Sequence, residues 1–321
     1  MVRTAVQPIL RRPDIPLDPL PTDPAARIAG LNPLITPIDS FFRVDIAEEI
    51  PIPSVDAWTM RIDGMVRTPL ELNFDDLLAR ELVEVDATIA CVSNSVGGFL
   101  VGNARWTGVR LDALLAEAQP LTTADEVLGH GLDGFTAGFP TALLDGRDAL
   151  VAVGMNGELL QPKHGYPARI VVPGLYGYVS AVKWLTRIEL TRFEDQVGYW
   201  IPRGWSRLAP VKLASKFDTP RPRQELQAGS VTIGGVAWSA TSGISAVQVQ
   251  VDEGPWLDTE LGPELTNNAW RQWWLGWDAV PGEHRLRVRA VDGSGARQST
   301  KEVPPLPNGA EGLHTIDVTV V

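Results

Sequence analysis

The chain has 321 residues, 44% of them hydrophobic and 21% charged, and a formal net charge of −11. This composition excludes a wholly disordered chain, and the acidic balance argues against nucleic acid as a partner. The single cysteine, Cys91, excludes an intramolecular disulfide and a zinc site built from several thiolates.

The first predicted unit is an extended, proline-rich arm over residues 1–36 that lies on a surface. It lacks the apolar run of a signal peptide, and the sequence has no stretch of about 18 apolar residues that could span a membrane. We therefore expect the chain to be soluble. Its compartment stays open, because it also fits the extracytoplasmic soluble part of a longer bacterial precursor.

Residues 37–224 form the second predicted unit. Asn73 is expected to cap a short helix over 74–80, and apolar spacing predicts another helix over 111–118. A strand over 84–90 runs into Cys91. The other predicted strands of this unit are 58–63, 149–153, 168–172 and 184–190.

The third predicted unit, residues 225–321, begins after an aperiodic segment rich in Pro, Arg and Lys. Short period-two segments separated by turn signals predict an antiparallel β-sandwich. The fold class is therefore α+β and mostly β. Six tryptophans in this unit predict core and dimer packing, with carbohydrate binding as the alternative. The predicted strands are 230–233, 246–251, 270–275, 284–290 and 314–320.

Residues 129–134 match the glycine pattern of dinucleotide-binding proteins. That pattern needs a helix to begin within it, and Gly138 and Pro140 disfavour one. We therefore expect a turn-rich loop. The sequence also lacks a Gly-x-Ser-x-Gly elbow and histidines at zinc-binding spacing.

Cys91 ends a strand that leads into serine, asparagine and two glycines. A lone cysteine is most often a small buried hydrophobe. A strand end followed by glycines also suits a nucleophile with His164 as its base, or a soft metal ligand.

A second candidate site is the glycine-rich segment 164–184. Arg169 lies in a predicted buried strand, where an unpaired charge is costly, and Ser180 and Lys183 add hydrogen-bond donors. These residues form either an anion cradle or a strand flanked by solvated charges.

Five segments follow one another along the chain: Cys91, Asn103-Ala-Arg105-Trp106-Thr-Gly108, Gly154-Met-Asn156-Gly157-Glu158, His164-Gly-Tyr-Pro-Ala-Arg169 and Val182-Lys183-Trp184. In this order they resemble the sulfite oxidase family of molybdopterin enzymes, in its haem-free bacterial form. The resemblance runs from about residue 40 to 190 and continues in the sandwich. It implies a molybdopterin-binding domain followed by an immunoglobulin-like domain.

The resemblance implies molybdenum bound by one molybdopterin and by the thiolate of Cys91. It implies that Phe42 and Arg43 contact the cofactor through their backbone, and that Asp133 lies near a further contact position. The residues implied to hold the pterin and its phosphate are His164, Arg169, Ser180, Ala181 and Lys183.

This sequence departs from sulfite oxidases where they bind sulfite. Ser93–Val96 replaces an arginine-bearing stretch, Trp205 stands at the position of an active-site tyrosine, and no arginine occurs over 308–310. We therefore expect oxygen-atom transfer with a small substrate other than sulfite, either as a dehydrogenase or as an S- or N-oxide reductase. Cys91, Trp205 and Arg105 are the candidate catalytic residues, and Arg105 and Arg203 offer an alternative positive rim.

Electrons are expected to pass to or from a separate carrier, a cytochrome or a quinone-linked protein. The chain has neither the His-Pro-Gly-Gly nor the Cys-x-x-Cys-His haem motif. The resemblance also implies a homodimer formed through the C-terminal domain. The alternatives are a non-catalytic pterin-binding or scaffold protein and, more remotely, a cysteine hydrolase.

Overall fold

The computed structural model describes residues 9–321, so the first eight residues of the predicted arm lie outside the described part. Residues 9–23 are mostly extended, as expected, but Pro24–Ala26 form a short 3-10 helix, and the end of the arm is buried. Leu34 is 1% exposed, and its carbonyl accepts hydrogen bonds from Asn103 and from the indole of Trp270. The arm therefore enters between the two domains instead of only lying on a surface.

The first domain consists of short strands and three helices, and the predicted cap at Asn73 explains where the first helix begins. Asn73 and Asp76 form a capping box at the start of the first helix, and the second helix has the predicted bounds. In chain order the elements are β1 (Thr59–Gly64), β2 (Leu70–Asn73), α1 (Phe74–Leu78), β3 (Val83–Ala90), β4 (Val101–Arg110), α2 (Leu111–Ala118), β5 (Glu126–Gly131), β6 (Thr136–Pro140), β7 (Leu150–Met155), β8 (Glu158–Leu159), β9 (Arg169–Val171), α3 (Gly177–Ser180) and β10 (Leu185–Thr191).

These strands form two sheets that enclose the main core. One sheet has the order β2-β1-β10-β5-β6, with β1 and β10 parallel. The other has the order β3-β4-β7-β8, and β9 pairs with β7. Buried residues such as Ile62, Val151 and Ile188 pack in one cluster between the sheets. Strand β3 ends at this core, which places Cys91 at the edge of the packed region.

The glycine pattern over 129–134 lies in a β-hairpin, so the expectation of a loop was wrong for its first half and right for its second half. Residues 129–131 belong to β5, and β6 follows a short turn. A Cβ atom on Gly129 would lie 2.8 Å from Ile170 and 2.9 Å from Val182, so the glycine allows the strand to pack closely. No helix begins here, which agrees with rejecting a dinucleotide site.

The C-terminal domain is a sandwich of two sheets, which confirms the predicted architecture and the mostly β fold. Its sheets have the orders β11-β13-β17-β16 and β12-β19-β18-β14-β15. The strands are β11 (Ala214–Thr219), β12 (Glu225–Leu226), β13 (Gly229–Trp238), β14 (Ile244–Val251), β15 (Trp256–Asp258), β16 (Glu260–Leu261), β17 (Arg271–Ala279), β18 (Gly282–Asp292) and β19 (His314–Val320).

Strand β11 precedes the predicted boundary at 225 but pairs with β13 in the sandwich. We therefore propose a domain boundary ahead of Ala214. Trp273 lies in the sandwich core, whereas Trp238 and Trp270 pack into the core of the first domain. Part of the tryptophan set thus joins the two domains. In residues 9–321, none of the helices is long and apolar enough to cross a membrane.

Candidate active site

A cavity of about 350 Å³ opens in the first domain, where the end of β3, the β5–β6 hairpin, β9 and α3 converge. Its wall is largely aromatic and aliphatic, with a few charged groups. The lining residues are Phe41, Phe42, Val44, Asp45, Ile46, Ile89, Ala90, Cys91, Val92, Ser93, Asp133, Phe135, Arg169, Gly177, Tyr178, Ala181, Lys183, Trp184, Trp200 and Trp205.

Cys91 brings a free, half-buried thiol to this cavity. Its backbone N–H donates to the carbonyl of Leu100, and its carbonyl accepts from the N–H of Asn94, so the turn after β3 is held on both sides. Among residues 9–321, no group of three or more His, Cys, Asp or Glu side chains is arranged to hold a metal ion. A metal at Cys91 would therefore need most of its ligands from a cofactor.

Arg169 is a buried cation without a carboxylate partner. It is 4% exposed, and Nη1 donates to the carbonyl of His164 over 3.2 Å, while Nε has no hydrogen-bond partner. Its guanidinium lies 5.1 Å from the ring centre of Trp106. Burial lowers the pKa of Arg169 to about 10. Such a group is costly unless an anion satisfies it.

Lys183 lies in the same cavity and is paired with Asp45. Its Nζ is 2.9 Å from the carboxylate of Asp45 and 3.1 Å from the carbonyl of Val44. Burial, together with the nearby charge of Arg169, lowers the pKa of Lys183 to about 8. Arg43 is not a lining residue, but its guanidinium contacts the same Asp45 over 2.7 Å. Asp45 was not predicted from the sequence.

Asp133 faces the cavity from the β5–β6 turn. Its carboxylate accepts the N–H of Phe135 over 3.1 Å, and burial raises its pKa. The structure thus brings seven of the predicted residues to one cavity. They are Phe42, Cys91, Asp133, Arg169, Ala181, Lys183 and Trp205.

His164 and Ser180 lie behind the cavity wall. His164 is 1% exposed, its Nε2 is 3.0 Å from the carbonyl of Ile38, and burial lowers its pKa to about 4. Ser180 donates to the carbonyl of Tyr176 over 3.1 Å. Neither residue lines the cavity with Cys91. His164 is therefore not placed to act as the general base that a cysteine hydrolase would need.

Arg105 does not reach the cavity. Its Nε and Nη2 each lie 2.9 Å from the carboxylate of Asp86, and its Nη1 donates to the carbonyl of Asp18. Arg203 stacks over the ring of Tyr199 at 3.7 Å and is also not a lining residue. The alternative positive rim is therefore not formed, because each arginine is engaged elsewhere.

An aromatic group closes the other side of the cavity. Trp205 lies 5.7 Å from Tyr178 between ring centres, and the Tyr178 hydroxyl donates to the carbonyl of Ser206. Burial raises the pKa of Tyr178, so its hydroxyl stays neutral. Sequence reasoning found Trp205 but missed Tyr178 and Trp200, which carry no local signal beyond being aromatic.

Comparison with known proteins shows the family to which this chain belongs. Residues 47–200 match the family model described as "Oxidoreductase molybdopterin binding domain". The uncharacterized oxidoreductase YuiH of Bacillus subtilis is 34% identical over 148 residues, which cover 46% of this chain and 72% of that protein. The chain belongs to the sulfite oxidase family of molybdopterin-dependent oxidoreductases.

Two further family members extend the match across both domains. Human mitochondrial sulfite oxidase is 30% identical over 311 residues, covering 80% of this chain and 56% of that protein. The sulfane dehydrogenase SoxCD of Paracoccus pantotrophus has a TM-score of 0.78 and 27% identity, with 89% of this chain and 81% of that chain covered. This chain thus spans about half the length of the curated sulfite oxidases that it matches.

The cofactor of this family is the molybdenum cofactor, and the residues present fit it. One wall of the cavity offers a single thiol, and another offers a buried guanidinium with an unsatisfied donor. A thiol suits a soft metal site, and an unpaired cation suits an anionic group such as a phosphate.

Proposed function

We propose that this chain is a mononuclear molybdenum oxidoreductase in which Cys91 ligates the metal and an oxygen atom is transferred to or from a small substrate. The supporting observation is that the lone thiol and the unpaired Arg169 line one cavity. The bound cofactor supplies two-electron oxygen-atom transfer at molybdenum.

The chain's own residues hold and shield that chemistry. Arg169 and Lys183 bind the anionic end of the cofactor, because both are cations buried in the cavity wall. Asp133 supplies a carboxylate to N–H groups of the bound pterin. Phe42 and Ala181 form part of the wall, which excludes water from the site.

The substrate that we propose carries little negative charge. Arg169 and Lys183 are the only cationic side chains lining this cavity in the described part of the chain, and both are committed to the cofactor. Each missing charge-assisted contact would cost a dianion about 1.5–3 kcal/mol of binding. A small sulfur or nitrogen compound, as an S- or N-oxide or its reduced form, fits the aromatic side formed by Trp200, Trp205 and Tyr178.

The electron partner that we propose is a separate cytochrome or quinone-linked protein. Electron transfer is tested by adding candidate carriers to loaded enzyme together with a substrate: an oxidised carrier with the reduced sulfur or nitrogen compound, or a reduced carrier with the S- or N-oxide. The carrier's oxidation state is then followed. The proposed homodimer is tested by light scattering on the full chain.

The first experiment is metal analysis of protein made in a host that synthesises the molybdenum cofactor. The wild type should contain about one molybdenum per chain, and Cys91→Ser should lose metal or change the Mo(V) resonance. Ser95→Ala, an exposed change in the same loop, is the control and should behave as the wild type. Sulfite, S-oxides and N-oxides are then compared as substrates, and sulfite should be the poorest.

Folded protein with neither molybdenum nor pterin would contradict the proposal and favour the scaffold alternative. An unchanged Mo(V) resonance in fully loaded Cys91→Ser would contradict the assignment of the ligand.

A further inference from the structure

A carboxylate lies inside the predicted anion cradle. Asp45 is 2.9 Å from Nζ of Lys183, and it forms two bonds with Arg43, at 2.7 Å to Nε and 3.0 Å to Nη2. The side chains of Asp45 and Lys183 are each less than one tenth exposed. Their pairing therefore takes place out of bulk water, where charge-assisted hydrogen bonds are strong.

The two cations that line the cavity differ in this respect. Arg169 has no carboxylate partner, whereas Lys183 is neutralised by Asp45. An anion that enters the cavity meets Arg169 directly, but it must share Lys183 with Asp45 or displace it. Without Asp45, the empty cavity would hold two unpaired buried cations, which is costly.

We propose that Asp45 is an internal counter-ion that competes with the anionic end of the cofactor for Lys183. The inference rests on the proposed function in taking Lys183 as part of the anion site. When an anion binds, Asp45 keeps both bonds to Arg43 and releases Lys183, whose N–H donors then turn to the anion.

The pairing of Asp45 with Lys183 has one consequence for the protein without an anion in the cavity and another for the protein with one. Asp45 stabilises the empty cavity by pairing Lys183, and it weakens anion binding by the same interaction. Residues 44–46 line the cavity, so the release of Lys183 also loosens this segment, because Lys183 bonds both Asp45 and the carbonyl of Val44.

The test uses the full chain made in a host without the molybdenum cofactor, with inorganic phosphate as the probe. Asp45→Asn should bind phosphate at least about tenfold more tightly than wild type by calorimetry, because one competing charge-assisted bond is removed. Adding Lys183→Met should abolish that gain. Asp39→Asn is the matched control, because Asp39 also pairs with a lysine, Lys163 at 2.8 Å, but is exposed. It should leave phosphate affinity unchanged.

A folded Asp45→Asn that binds phosphate no more tightly than wild type would overturn the inference. A second measurement needs no variant: in wild-type protein, phosphate should speed hydrogen exchange in the peptide that covers residues 43–46. Unchanged or slower exchange there would also overturn it.

The outcome is separable from that of the proposed function. Phosphate effects at Asp45 in a protein that takes up no molybdenum would support this inference and reject the enzyme proposal. Full molybdenum loading with no effect of Asp45→Asn on phosphate affinity would support the enzyme proposal and reject this inference.

Discussion

The sulfur of Cys91 lies 2.9 Å from the hydroxyl oxygen of Ser93. This distance is within hydrogen-bond range for sulfur, and both residues line the cavity. A hydroxyl that donates to a metal-bound thiolate withdraws electron density from it and so favours the reduced metal. We therefore predict that Ser93 positions and tunes the sulfur of Cys91 if that sulfur binds the metal, as proposed above.

Ser93→Ala should lower the reduction potential of the loaded enzyme. One hydrogen bond of about 1 kcal/mol corresponds to roughly 40 mV for a one-electron step. The measurement is a redox titration followed by the Mo(V) resonance. Ser95→Ala should leave the potential unchanged, and an equal shift in both variants would reject a specific bond to the sulfur.

Arg169→Met should stabilise the cofactor-free protein against unfolding and weaken its binding of the cofactor. The guanidinium is buried with an unsatisfied Nε, and methionine removes that charge while filling similar space. The contact with Trp106 offsets part of the gain, so we expect about 1–2 kcal/mol in the free energy of unfolding. Denaturant unfolding of empty protein and metal content after expression are the two measurements.

Arg105→Met is the contrasting control for this prediction. It leaves Asp86, which is 2% exposed, without its cationic partner, and should cost about 3–5 kcal/mol. A loss of stability in both variants would show that the buried, unpaired charge of Arg169 does not destabilise the folded protein. Molybdenum uptake should fall only in Arg169→Met.

Local sequence patterns were enough to predict the parts of the fold that depend on near neighbours. The cap at Asn73, the bounds of α2 and the strand that leads into Cys91 all follow from short-range spacing. Strand β11 was missed because Ala214–Thr219 shows no clear alternation. Its pairing with β13 is a tertiary contact that overrides weak local preference.

The ion pairs of the site were beyond local reasoning. Arg105 meets Asp86 only because the register of β3 and β4 places them opposite each other. Asp45 and Lys183 are 138 positions apart in the chain. The sequence shows which residues carry charge, but the register and long-range packing decide which charges neutralise one another.

Glu126→Gln should change the dependence of stability on pH. The Glu126 side chain is 2% exposed, its Oε2 has no partner, and Arg207 is 3.9 Å from Oε1. Burial raises the pKa of Glu126 to about 7, above its usual 4.5. The folded state therefore keeps the proton, and the stability this contributes is present below pH 4.5 and lost as pH rises through about 7.

Wild type should thus lose roughly 3 kcal/mol relative to Glu126→Gln between pH 4.5 and pH 8. Denaturant unfolding over that range measures the difference. Glu302→Gln, an exposed change, should give a curve parallel to the wild type. If the free energy of unfolding of Glu126→Gln depends on pH in the same way as that of the wild type, then Glu126 is ionised in the folded state and burial does not raise its pKa.

Gly97→Ala should damage the loop that follows Cys91 because the C-terminal domain packs against it. Gly97 has φ +74°, and a Cβ atom there would lie 2.2 Å from the imidazole of His314 at the start of β19. Backbone strain and overlap together should cost roughly 2–4 kcal/mol in unfolding free energy. At Gly134 the φ is +81° and an added Cβ would have no atom within 4 Å. Gly134→Ala should therefore lower the free energy of unfolding only by the backbone term, about 1 kcal/mol.

The double variant Gly97→Ala with His314→Ala separates overlap from strain. Removing the imidazole should recover at least about 1 kcal/mol of the Gly97→Ala loss, since residues in contact couple. Additive effects of the two changes would mean that the loop moves away from the sandwich without cost. In that case the C-terminal domain would not hold the segment that carries the proposed metal ligand.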